Sequence, residues 1–157
     1  MRLPFFAAYL ANLAVTLGSL PLLPDRIATH FGARGLPDDW GSKESNALLL
    51  VGVHTLLFAL LYLAPRLVMV VPPRFVNLPH KEYWLRPENR PLTLARLSVH
   101  LGRMGTALFL FMLVGGVLAL QANLAEPVRL NMPLFLGALG VFLAYTVGWG
   151  VCFYRAF

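Results

Sequence analysis

The chain has 157 residues, of which 58% are hydrophobic and 13% charged, and it carries a net charge of +6. A soluble domain has roughly a quarter charged residues. Here the charges stand between long apolar blocks, which excludes an ordinary globular core and points to a bilayer. The positive balance belongs to membrane flanks rather than to nucleic acid: the basic residues border the apolar blocks, and no nucleic-acid motif is present.

Four apolar segments are predicted as helices, because spans must be helices or closed barrels and these runs lack strand alternation. The first is 3–23, with Pro4 tolerated in the first turn and Pro21 and Pro24 closing the segment. It starts after one Arg and lacks a small-x-small exit, so it reads as a retained anchor rather than a cleaved signal. Asn12 and Thr16 share a face at i and i+4, suited to interhelical hydrogen bonds. An outer loop, 24–45, follows. The second helix is 46–65, with His54 inside it. A basic loop, 66–96, leads to the third helix, 97–121, which holds Arg103. The fourth, 132–154, carries Gly140, Ala144 and Gly148 as a small-xxx-small ladder for close helix approach, within the chain or against a partner membrane protein. The fold class is therefore an all-α membrane protein, one domain over 1–157. Its single cysteine, Cys152, allows no intrachain disulfide.

Lys and Arg set the orientation. Arg2, Arg66, Arg74, Lys81, Arg86, Arg90, Arg96 and Arg155 fall on one side, and Arg26, Arg34, Lys43 and Arg129 on the other. The positive-inside rule then places both termini in the cytoplasm.

The outer loop contains "LPDRIATHFGARGLPDDWGSK". "RIATHF" alternates like an extended piece, while Gly32, Gly35 and Pro37 supply bends. Trp40 suits an interfacial anchor, and Ser42 and Ser45 suit a helix cap. The result is an ordered lid rather than an independent domain. His30, with Asp25, Asp38 and Asp39 nearby, is of metal-ligand type, yet no spacing matches a closed zinc site. No metal and no cofactor are expected. A peptide or protein partner at this loop is.

This stretch resembles the signature loop of a bacterial domain-of-unknown-function family found at the N-terminus of SdpI-type membrane immunity proteins. The resemblance rests on Leu23-Pro24, His30-Phe31, Gly35 to Asp38, and Trp40 to Lys43. The later "NLPHKEYWL", with Asn77, Leu78, Pro79, Tyr83 and Trp84, also resembles a segment of such proteins. It implies a multi-pass protein of the bacterial inner membrane. It further implies immunity against a secreted peptide toxin, with signalling through a repressor held at the membrane.

In the basic loop, Pro72, Pro73 and Pro79 break helix, and Tyr83 and Trp84 read as interfacial aromatics lying on the membrane. Arg103 sits near an end of its helix, where a long cation snorkels. Enzyme function is not expected. The sequence holds no HExxH, GxSxG or P-loop, and no paired carboxylates within the apolar runs. A binding or immunity-like protein is the first reading, and a structural accessory subunit of a larger membrane complex is the alternative.

Overall fold

The computed structural model describes residues 3–157; Arg2, counted above in the charge balance, lies outside the described residues. The elements in chain order are α1 (Leu3–Gly18), β1 (Arg26–Phe31), β2 (Pro37–Ser42), α2 (Lys43–Val70), a 3-10 turn (Pro73–Phe75), α3 (Lys81–Trp84), α4 (Arg90–Asn123) and α5 (Met132–Ala156). Among the described residues three helices, α2, α4 and α5, are long and apolar enough to cross a membrane, and α1 is a shorter apolar helix. Several such helices in one chain are the mark of a multi-pass membrane protein.

The helix ends differ from the sequence reading for local reasons. α1 stops at Gly18 rather than near residue 23, because Gly18 and Pro21 both oppose helix continuation. Residues 19–23 instead form turns, with the Leu22 and Leu23 N–H groups donating to Ser19 O. α2 begins earlier than expected because Ser42 is the N-cap, its Oγ accepting from Ser45 N. It then runs through buried Pro65 to Val70 instead of ending there. α4 starts at Arg90, with a proline in its first turn where the missing N–H is not needed. α5 is capped by Asn131, whose Oδ1 accepts from Leu134 N.

α4 is the central helix, packed against α1, α2 and α5. Its Phe109 is fully buried and joins Phe5 and Ala8 in a cluster with Phe58, Leu61 and Met112 around it. Phe5 and Tyr9 each stack on Phe58, with ring centroids 4.9 and 4.4 Å apart. Gly105 lets Phe5 approach α4, since a Cβ there would strike the Phe5 ring. No residue of α5 is buried.

The all-α expectation is corrected by β1 and β2, which form a two-stranded antiparallel hairpin with an irregularity near Thr29. A lone hairpin is marginal in water, so this one depends on the helices. Ile27 and Ala28 are buried against them. Lys43 N donates to Asp25 O at its base, and Leu130 N donates to Gly35 O at its tip.

At the other end of the bundle the loop expected to lie on the membrane is folded. Val76, Leu78, Trp84, Leu97 and Phe157 form a second buried cluster. Trp84 Nε1 and Phe157 O are 2.5 Å apart. Arg96 stacks over the Trp84 ring and donates to Ala156 O.

Candidate cleft beneath the hairpin

The hairpin closes over one end of the bundle. Beneath it α1, α2 and α4 enclose a cleft of about 280 Å³. Apolar side chains such as Val15, Leu50 and Met112 line its walls, and Asn12, Thr16, Ser19, Asn46 and His54 bring polar groups into it. Among the described residues its lining includes one charged residue, Lys43, and no acid.

Each polar group has a different state. Asn12 is buried, and its Nδ2 donates to Ala8 O and Phe109 O at 2.8 Å each. This links α1 to α4, as the interhelical reading requires. Thr16 lies one turn further along α1. Lys43 Nζ donates to Leu23 O at 3.0 Å and pairs with Asp25 at 3.1 Å, so its charge is already held at the rim. His54 is 4% exposed, and its Nδ1 has no hydrogen-bond partner among the described residues. A buried polar group without a partner costs about 1–3 kcal/mol. The cleft therefore presents a hydrogen-bonding floor inside apolar walls, the arrangement that small-molecule and peptide-end sites share.

Asn123 closes the roof and was not singled out by the sequence reading. Its Oδ1 accepts from Ala28 N at 2.7 Å, and its Nδ2 donates to Ala28 O at 3.1 Å and to Ala119 O at 3.0 Å. The signal that could have found it is an amide at the end of an apolar run, akin to the amide within a run that marked Asn12.

The predicted loop residues divide between the hairpin and its edges. His30 Nδ1 and Asp38 Oδ1 lie 2.5 Å apart across the strands, with the His30 side chain 70% exposed. Phe31 pairs with Pro37 in the register. Gly35 takes φ +73° in the turn. Trp40 is partly exposed opposite Ala28. Pro24 precedes β1 and is exposed. His30 and His54 thus belong to different surroundings, one on the surface and one in the bundle. No group of three or more His, Cys, Asp or Glu residues is placed to hold a metal among the described residues.

The second predicted signature lies at the far end of the bundle. Leu78 and Trp84 are buried there, while Asn77 and Tyr83 are exposed and Pro79 is half-buried. Trp84 is thus core rather than an interfacial anchor, because the Phe157 carbonyl and ring cover it. Gly140, Ala144 and Gly148 are exposed, and a Cβ at either glycine would meet nothing within 4 Å. The ladder does not pack within this chain, because α5 rests on α4 through another face. Arg103 is exposed in a groove between α4 and α5.

Residues 7–55 match the model of a domain of unknown function, DUF1648. That segment covers most of α1, the whole hairpin and the first half of α2, including His54. An uncharacterized protein of the archaeon Archaeoglobus fulgidus is 30% identical over 104 residues, covering 57% of this chain and 56% of that protein. The chain spans about half the length of the curated relative it matches. No solved structure matches.

Proposed function

We propose that the chain is a non-enzymatic binding protein of the inner membrane, whose ligand engages the hairpin and enters the cleft behind it. In this reading α1, α2, α4 and α5 all cross the bilayer, both termini are cytoplasmic, and the hairpin faces outward. The observation that carries the reading is His54: a buried residue lining the cleft, its Nδ1 without a hydrogen-bond partner among the described residues, beside a lysine whose charge is already paired. The ligand class we assign is a secreted peptide, whose end brings hydrogen-bonding groups to that floor. The resemblance of the hairpin sequence to SdpI-type proteins supports an immunity-like role for the same surface.

Expression in a strain sensitive to a secreted peptide toxin tests this. Survival should rise with the native chain and fall back with His54→Leu, which keeps the bulk of the ring site and removes its nitrogens. No gain in survival with the native chain would sink the immunity role.

A second reading, an accessory subunit of a larger membrane assembly, is favoured by the exposed ladder of α5. Small residues let helices approach closely in lipid. A stoichiometric protein that co-purifies in mild detergent and is lost with Ala144→Phe is its expected signature.

A further inference from the structure

Between α4 and α5 runs a groove of about 670 Å³, distinct from the cleft under the hairpin. Its walls are apolar, with Leu110 and Val114 from α4 and Val141 and Phe142 from α5. Pro4 of α1 borders it too, and among the described residues one charged side chain lines it, Arg103. Arg103 is exposed, and no described residue forms an ion pair or hydrogen bond with it. A guanidinium in an apolar setting is costly unless it is paired or reaches a polar layer.

The position of Arg103 along α4 says which layer it reaches. From Asn123, level with the hairpin, to Arg103 the helix rises about 30 Å, the thickness of a hydrocarbon core. The same measure takes α2 from Lys43 to Arg66 and α5 from Asn131 to Arg155, about 35 Å each. Arg103 therefore stands at the membrane boundary away from the hairpin. From Arg103 to Val114 the groove extends about 16 Å along α4, close to half a hydrocarbon core and so to the depth of one leaflet.

We propose that this groove is a binding site for one anionic phospholipid of the leaflet opposite the hairpin. Its phosphate pairs with Arg103, and an acyl chain lies along the apolar walls between α4 and α5. Arg is suited to this because its planar fork meets a phosphate with two parallel hydrogen bonds. The exposed ladder does not compete: Gly140, Ala144 and Gly148 lie roughly 110° round α5 from the groove-lining residues.

The test uses the full chain purified in mild detergent, with added phosphatidylglycerol or phosphatidylcholine, read by native mass spectrometry. One phosphatidylglycerol per chain should be retained at least tenfold more than phosphatidylcholine. Arg103→Gln should remove that preference. Arg86→Gln, a cation in the loop before α4, should leave it within twofold. Ala138→Phe, which fills the groove and keeps Arg103, should displace the lipid and guards against a misfolded Arg103 variant. Inorganic phosphate at millimolar concentration should not compete. Equal retention of both lipids, retention unchanged by Arg103→Gln and by Ala138→Phe, displacement by free phosphate, or a lipid-free mass of two chains would each overturn the proposal.

Discussion

Asn123 holds the N–H and the C=O of Ala28 at the same time, at 2.7 and 3.1 Å. A side-chain amide thus does for β1 what a third strand would do, pairing both backbone groups of one residue on an edge that would otherwise stay open. The link joins residues 95 apart in sequence and fixes the hairpin to the end of α4. It also explains why Ala stands at position 28: the residue is 3% exposed and the helix end lies directly against it.

Asn123→Leu should therefore release the hairpin. Two buried backbone groups lose their partners, at about 1–3 kcal/mol each. The expected result is a lower unfolding temperature in detergent and new protease cleavage within residues 26–42. Asn123→Asp keeps the acceptor for Ala28 N and loses the donor to Ala28 O, so its effect should be intermediate. Equal protease resistance in all three proteins would show that the amide does not hold the hairpin.

Gly35 should tolerate no side chain. Its φ of +73° favours glycine, and a Cβ would lie 2.5 Å from Leu130 O and 2.9 Å from Met132 Cγ. The obstructing atom is backbone, and the same turn supplies the carbonyl that accepts from Leu130 N. Gly35→Ala should destabilise by more than about 1 kcal/mol. Hydrogen exchange should then quicken at the Leu130 amide, while the amides of α1 and the middle of α4 keep their protection. Unchanged exchange at Leu130 would contradict the contact.

Trp84→Phe separates the ring from its N–H. The aromatic contacts with Phe157 and Arg96 remain available, and the hydrogen bond to Phe157 O is lost. A loss of about 1 kcal/mol is expected, with faster exchange confined to the last turns of α5. Trp84→Ala should cost about 3–5 kcal/mol, since it also empties the centre of that cluster. If the two variants were equally stable, the ring would not be the core of this end.

The long apolar runs were legible because lipid demands internally satisfied backbone, and helices meet that demand locally. "RIATHF" was legible as extended from its own alternation. Its partner "PDDWGS" was not, since Pro, Asp and Gly are depleted in strands, and what holds it extended is its pairing with β1, which Asn123 in turn anchors from the far end of α4. Trp84 misled for a similar reason. An aromatic in a basic loop reads as an interface anchor, and only Phe157, 73 residues later, turns it into core. Of the cleft, Asn12 and His54 stood out as polar residues in apolar runs. Their shared cavity could not be read, because it depends on how α1, α2 and α4 meet.

α5 is fastened at its ends. Near its start Leu130 N is tied to the hairpin tip, and towards its finish Trp149 Nε1 donates to His100 O and Ala156 O accepts from Arg96. Between those ties none of its residues is buried. At mid-height Phe142 stacks on Phe111 of α4, ring centroids 4.9 Å apart. The Phe111–Phe142 stack is thus the rivet of the α4–α5 seam, and removing either ring would leave the two helices joined chiefly at their ends.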